Sequence, residues 1–351
     1  MKTVYIHIGQ PKTATTSLQH FFIINRDNLG AQSFLYPDLS MGGAHHHLSF
    51  CVREHVNGSA EIAKNDDFRG RDVWGELVDR IEEGDEDNVI ISSEDFYFTD
   101  FVGEKKGGLE YIKEKLKGFD VKVVCYLKEN MSHVDSWYNE IIKHGEDRTC
   151  ESFFEMSRKM PGCHHRYDEV IEKWSNVFGE QNVIVRVFDR SFMFEGDVLK
   201  DACSVMGIDY KGLSFNFSDF NERLTDFQLL IVRAFNKLGH NKALHGQVVA
   251  AVKKIAPSYD EKFSSARYER RVPSKLASWW KGSAEFLEKL TGHEMKKNFG
   301  EQSFGDFFTC DQLDEAGRNA VRLHLDGEID RRGFLNSVAA LEILRLEGAD
   351  K

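Results

Sequence analysis

Thr3-Val-Tyr-Ile-His-Ile8 runs directly into Gly9-Gln-Pro-Lys-Thr-Ala-Thr-Thr-Ser17, and this opening sets the architecture. The first six residues are β-branched, aromatic and aliphatic without strict polar alternation, as in a strand buried on both faces. Gly9 ends the run, and a turn over residues 9–13 leads into a helix expected at Thr15–Asn25, with Leu18, Phe21, Phe22 and Ile24 as its apolar content. Strand, tight turn and helix in that order open a parallel α/β sheet. The turn then lies at the carboxyl end of a strand and faces a helix N-terminus, whose free N–H groups and dipole attract anions.

Further along the chain, Asn88-Val-Ile-Ile-Ser92, Val121-Lys-Val-Val-Cys-Tyr-Leu127 and Asn182-Val-Ile-Val-Arg-Val-Phe188 read as three more buried strands. Helical stretches are expected at Ser132–Lys143 and Gly196–Met206. Apolar strands separated by helices predict a three-layer α/β/α fold with a central parallel sheet. Strand signals stop near Phe217. Thr225–Leu238, Gly246–Ile255, Ser274–Leu290 and Asp311–Leu325 read as helices, so residues 1–217 are expected to form the α/β core and residues 218–351 a mostly helical C-terminal part that helps form an acceptor site.

With 351 residues, 41% hydrophobic and 29% charged, the chain has the composition of a soluble globule, and it carries no biased tract that would indicate disorder. Its longest apolar runs, such as Val248–Val252, are too short to span a bilayer. The N-terminus lacks the basic, apolar and small-residue succession of a secretory leader. Six Cys at positions 51, 125, 150, 163, 203 and 310 have no paired spacing, which fits reduced thiols and a cytoplasmic location. The net charge of 46 − 57 = −11 argues against a general nucleic-acid binder. A local basic excess between Lys253 and Lys281, eight Lys/Arg against three Asp/Glu, reads equally as a solvated helical face or an anionic-ligand surface.

The first turn is not an ordinary ATP- or GTP-hydrolysing glycine loop. Aligned on Lys12-Thr13, that loop requires glycines at the positions of Ile6 and Pro11. The run from Pro11 to Gln19 instead resembles the 5′-phosphosulfate loop of sulfotransferases that use PAPS (3′-phosphoadenosine 5′-phosphosulfate). The resemblance implies that Lys12 contacts the donor's 5′-phosphate and bridging oxygen, and that Thr13, Ala14, Thr15, Thr16 and Ser17 hold the phosphosulfate. Ala14 stands where family members usually have Gly.

The family's second signature is a basic residue near the end of a later strand with a Ser eight positions on. Here Lys128 and Ser136 have that spacing, and Ser136-Trp-Tyr-Asn139 resembles the corresponding family segment. The likeness implies that this pair binds the 3′-phosphate, with Lys in place of the usual Arg. Ile91-Ser-Ser-Glu-Asp95, Val187-Phe-Asp-Arg190, Gly207-Ile-Asp209 and Asn221-Glu-Arg-Leu-Thr225 also fit. The resemblance covers about the first two thirds of the chain.

Sulfuryl transfer to an alcohol requires a base for the acceptor proton and positive charge for the departing oxygen. Lys12 suits the second task. For the first, Glu94 follows the second strand and so shares a crevice edge with Lys12; a Glu base also matches glycan- and protein-modifying family members. Its competing role is plain helix-start charge after Ser92 and Ser93, and Asp95 is a weaker neighbour. His45-His46-His47, in a glycine-flanked loop (Gly42-Gly43), is the rival base, with His46 at its centre. This triplet and Cys163-His164-His165 lack the spacing of zinc ligands, and no metal is called for. Trp74, Trp137, Trp174, Trp279 and Trp280 could stack on adenine or a sugar, although core packing is the commoner use of Trp. The expected activity is transfer of a sulfuryl group from PAPS to a hydroxyl, or less favourably an amine, of an acceptor such as a glycan or glycolipid. The alternatives are a small-molecule or nucleotide kinase and a non-catalytic nucleotide-binding relative.

Overall fold

The computed structural model describes residues 1–39, 43–58, 71–101, 106–148, 153, 166–215, 223–224, 226–237, 246, 249–250, 252–253 and 274–292. The chain divides into two compact units. The first comprises residues 1–133, 160–220 and 280–295; the second comprises residues 134–159, 221–279 and 296–351.

In chain order the described elements begin with β1 (Thr3–His7), α1 (Thr15–Ile24), α2 (Arg26–Gly30), β2 (Phe34–Leu35), α3 (His46–Asn57), α4 (Val73–Glu83) and β3 (Asn88–Ser92). A 3-10 turn at Glu94–Phe98 follows, then α5 (Gly108–Lys115), β4 (Asp120–Leu127), α6 (Asn130–Lys143), α7 (Tyr167–Phe178), β5 (Val183–Val187), α8 (Val198–Met206), α9 (Asp226–Lys237) and α10 (Ser274–Thr291).

The first unit is built on a five-stranded sheet in the order β2-β3-β1-β4-β5, with every pair parallel. β1 is central: His7 sits beside Ser92 of β3 on one side and Val124 of β4 on the other. The chain fills one flank of β1 first and then crosses to the other, so the strand order reverses at β1. In open α/β sheets the ligand crevice lies at such a point, beyond the carboxyl ends of the strands.

Alternation along the strands divides the apolar side chains between two cores. Val4, Ile6, Ile8, Val89, Ile91, Val123, Cys125 and Leu127 pack with residues of α3, α4, α5 and α7. Ile90, Val124 and Tyr126 pack on the other face with Leu18, Phe21 and Phe22 of α1 and Leu199, Ala202 and Cys203 of α8. The expected three-layer α/β/α class therefore stands. Trp74 and Trp174 are fully buried in the first of these cores and serve packing; Trp74 Nε1 also donates to the Leu48 carbonyl at 3.1 Å.

A buried carboxylate ties the sheet's far flank together. Asp201 on α8 accepts hydrogen bonds from the Tyr126 hydroxyl at 2.8 Å, Arg186 Nε at 3.0 Å and the Phe194 N–H at 2.7 Å. With three donors converging on it, this buried charge is compensated.

In the second unit, asparagine side chains bridge separate stretches of main chain. Asn139 exchanges two hydrogen bonds with the Leu224 main chain, at 2.7 and 3.2 Å. Asn236 Nδ2 donates to the Ile142 and Glu146 carbonyls at 2.9 and 2.7 Å.

Several boundaries differ from expectation. β1 ends at His7 rather than Ile8. β2 is a two-residue edge strand too short to leave a pattern. The helix expected from Gly196 begins at Val198, because the Asp197 side chain caps it, accepting from the Leu199 and Lys200 N–H groups at 2.8 and 3.2 Å. The His45–His47 triplet is not a loop: His46 opens α3 and His45 is its N-cap. Cys51, Cys125 and Cys203 are free thiols. Cys163-His164-His165, the Lys253–Lys281 basic cluster apart from Lys253 and α10, and the Asp311–Leu325 helix lie outside the described residues.

Candidate active site

The turn between β1 and α1 is shaped by two non-glycine residues in the left-handed region, Lys12 (φ 68) and Ala14 (φ 60). A Cβ in that region costs about 1–2 kcal/mol, and such strain collects where the backbone is shaped for a ligand. Glycine would remove the penalty at position 14, a physical reason for the residue family members usually carry there. α1 then starts at Thr15 with no side-chain cap and no acidic residue in its first turn. No side chain of α1's own first turn thus offsets the dipole at that helix start. Thr13 and Thr15 are buried, Lys12, Ala14 and Ser17 half-buried, and Thr16 exposed. Such a set of a lysine, hydroxyls and helix-start amides suits a phosphate or sulfate group.

Several bonds hold this turn in place. Thr13 Oγ1 donates to the Gln10 carbonyl at 2.5 Å. The Gln10 N–H donates to the Tyr126 carbonyl at 2.9 Å, and the Tyr126 N–H to the Gly9 carbonyl at 2.7 Å. His133, in the first turn of α6, donates from Nε2 to the Pro11 carbonyl at 2.9 Å. The turn is thereby locked to the end of β4.

Glu94 meets the turn from the β3 side. Gly9 has φ +97, and a Cβ built there would lie 3.0 Å from Glu94 Cβ and 3.1 Å from the Pro11 nitrogen. Only glycine allows this approach. Ser93 caps the 3-10 turn, its Oγ accepting from the Asp95 N–H at 3.2 Å, so Glu94 does occupy a helix-start position. Gln19 Nε2 donates to Glu94 Oε2 at 2.9 Å. Among the described residues, Glu94 Oε1 accepts no hydrogen bond.

The three histidines divide sharply by environment. His45 is buried with both ring nitrogens engaged: Nδ1 accepts from the Ser92 N–H at 3.0 Å and Nε2 donates to the Pro37 carbonyl at 3.0 Å. Burial lowers its pKa from 6.5 to about 4. His47 is also buried, and burial lowers it to about 3. His46 is half-buried and faces carboxylates, with Nδ1 2.8 Å from Asp95 Oδ2 and 2.9 Å from Ser93 Oγ, and Nε2 4.0 Å from Glu94 Oε2. Burial pulls its pKa down, but the Asp95 hydrogen bond and the charges of Glu94 and Asp95 outweigh that, and the net shift is upward. His46 thus favours a charged imidazolium beside Glu94.

Lys128 follows β4. Its N–H donates to Gln10 Oε1 at 3.1 Å, its carbonyl accepts from the Tyr167 hydroxyl at 2.6 Å, and Nζ lies 5.7 Å from the centre of the Phe188 ring. Ser136 is half-buried on α6 and belongs to the second unit. The structure therefore brings together the Lys12 turn, Glu94, His46 and the Lys128 backbone at the carboxyl ends of β1, β3 and β4. Sequence reasoning passed over Gln10, Gln19 and Tyr167. Gln19 left a trace, as a polar residue on the buried face of α1 defined by Thr15, Leu18 and Phe22; Gln10 and Tyr167 left none. Among the described residues, no group of three or more His, Cys, Asp or Glu could hold a metal ion, and no helix is long and apolar enough to cross a membrane.

No family model matches the chain. It is 28% identical over 116 residues to an uncharacterized protein of Archaeoglobus fulgidus, a match covering 33% of this chain and 30% of that protein's length. The chain thus spans less than a third of the curated relative it matches. A search of solved structures aligns it with a sulfotransferase from Alicyclobacillus acidocaldarius at 15% identity and a TM-score of 0.43, over 84% of this chain and 98% of that one.

Proposed function

We propose that the protein is a PAPS-dependent sulfotransferase that transfers a sulfuryl group to a hydroxyl of an acceptor, with a glycan or glycolipid as the favoured class. The observation that carries this reading is the meeting of the Lys12 turn, Glu94 and the Lys128 peptide at the carboxyl ends of β1, β3 and β4, where the strand order reverses. A turn with a lysine, four hydroxyls within five residues and an uncapped helix start fits an anionic donor group. A carboxylate packed against that same turn fits proton removal from an acceptor brought up to it.

PAPS supplies a sulfuryl group already bonded to a good leaving group, the 5′-phosphate. Lys12 and the first-turn amides of α1 offset negative charge as it grows on that phosphate oxygen. Thr13, Thr15, Thr16 and Ser17 orient the group for in-line displacement. Glu94 accepts the acceptor's hydroxyl proton, with Gln19 holding one of its oxygens at 2.9 Å and His46 Nε2 4.0 Å from that same oxygen. His46 suits the role of base less well, because Glu94 and Asp95 favour its charged form. Lys128 and Ser136 take the 3′-phosphate. The scheme assigns no step to a metal, and we place the enzyme in the cytoplasm.

Isothermal titration tests the reading directly. 3′,5′-Bisphosphoadenosine should bind well above 5′-AMP and ATP without magnesium. A preference for ATP with Mg²⁺ would assign the protein to the kinases instead. Binding of the bisphosphate without transfer to any acceptor, in a screen of labelled PAPS against oligosaccharide, phenolic and lipid pools, would leave a non-catalytic relative.

A further inference from the structure

Two hydrogen bonds hold the Lys128 peptide from opposite sides, one of them from the turn that carries Lys12. The Lys128 N–H donates to Gln10 Oε1, and the Tyr167 hydroxyl donates to the Lys128 carbonyl. Gln10 and Tyr167 are both fully buried. The main chain of the same Gln10 is fixed by the Tyr126 carbonyl and the Thr13 hydroxyl. One residue therefore holds the Lys12 turn through its backbone and the Lys128 peptide through its side chain.

Packing alone does not account for a glutamine here. A leucine would fill similar space without burying an amide, and a buried amide is unfavourable unless both its donor and acceptor are satisfied. Here its carbonyl oxygen is engaged by the Lys128 N–H, and a buried polar contact of this kind favours one geometry over its neighbours. That geometry is the relation between the two basic residues assigned to opposite ends of the nucleotide.

We propose that Gln10, with Tyr167 on the other side of the Lys128 peptide, is a positioning residue that fixes the separation of the Lys12 and Lys128 anion sites, so that the protein selects a nucleotide phosphorylated at both 3′ and 5′ over either monophosphate. The inference rests on the donor-binding reading above. A ribose holds its two phosphates at a set separation. Once one end is seated the other binds intramolecularly, and that advantage survives only where the protein's sites are held at the matching distance.

The test is isothermal titration of the full chain with 3′,5′-bisphosphoadenosine, 5′-AMP and 3′-AMP. Wild type is compared with Gln10→Leu and Tyr167→Phe, which remove bonds from opposite sides of the same Lys128 peptide. Each variant should weaken the bisphosphate about tenfold and leave each monophosphate within about twofold. Tyr167→Phe deletes a single oxygen and keeps the question decidable if Gln10→Leu fails to fold. Equal weakening of all three ligands, or an unchanged preference, overturns the positioning role. A wild-type protein that binds the bisphosphate no better than the monophosphates overturns the donor-binding reading itself, a different result from either.

Discussion

Gly9→Ala, set against Gly118→Ala, isolates the contact between the phosphate turn and Glu94. The two glycines have nearly the same backbone twist, φ +97 and +98. A side chain in that region costs about 1–2 kcal/mol, offset in both variants by the lower chain entropy of unfolded alanine. The surroundings differ. At Gly118 nothing lies within 4 Å of the new methyl, whereas at Gly9 it meets Glu94 Cβ at 3.0 Å, the Pro11 nitrogen at 3.1 Å and Glu94 Cα at 3.2 Å. Two of those three atoms are backbone and cannot swing aside, so overpacking adds about 1–3 kcal/mol at Gly9 alone. Urea denaturation should therefore place Gly9→Ala about 2 kcal/mol below Gly118→Ala. Titration with 3′,5′-bisphosphoadenosine should show Gly118→Ala binding as wild type and Gly9→Ala at least tenfold weaker, since the turn must move off Glu94 to admit the methyl. Equal stabilities, or full binding by Gly9→Ala, would refute the claim that this close approach shapes the site.

Other outcomes follow from the same geometry. Lys12→Ala should abolish sulfuryl transfer, whereas Ser136→Ala should mainly weaken donor binding; initial rates and nucleotide titrations on the same preparations separate the two, and an unaltered rate in Lys12→Ala removes its assigned role. Glu94→Gln should lower turnover about a hundredfold or more while leaving nucleotide affinity in place, with His46→Ala the milder change; the reverse order would make His46 the base. Stability should fall on acidification from about pH 6.5 towards 4, because His7 and His45, both lowered by burial to about 4, protonate more readily in the unfolded chain. Over that window the native state binds fewer protons, so stability rises with pH, by about 3 kcal/mol for each residue. His46, shifted upward, acts oppositely: its contribution is complete below its unfolded value and fades as pH rises through the folded one. Urea midpoints that stay level between pH 7 and 5 would mean that His7 and His45 do not remain neutral in the fold.

β1, β3 and β4 were legible because parallel strands buried on both faces need uninterrupted apolar runs; β5 carries such a run too, but as an edge strand it is only half-buried rather than buried as expected. The turn was legible because Pro-Lys ahead of a Thr-rich helix start has no use as plain capping. Environment was less visible. His45, His46 and His47 are adjacent and chemically identical in sequence, yet α3 turns two of them into the core and leaves the third among carboxylates. That division depends on helix phase, which a residue string carries only weakly when the helix is polar overall. Gln10 and Tyr167 were invisible for another reason: 157 positions separate them, and only the fold brings both onto the Lys128 peptide.

All five strands point the same way, and this has a practical reach. Met1 is 92% exposed and precedes β1, at the end of that strand away from the Lys12 turn. A fluorophore, affinity handle or surface tether fused ahead of it stays a full strand length from Lys12, so immobilised protein should report nucleotide capture without obstruction. The handle has to leave Lys2 intact, because its ammonium is anchored to the Ile81 and Gly84 carbonyls at the close of α4.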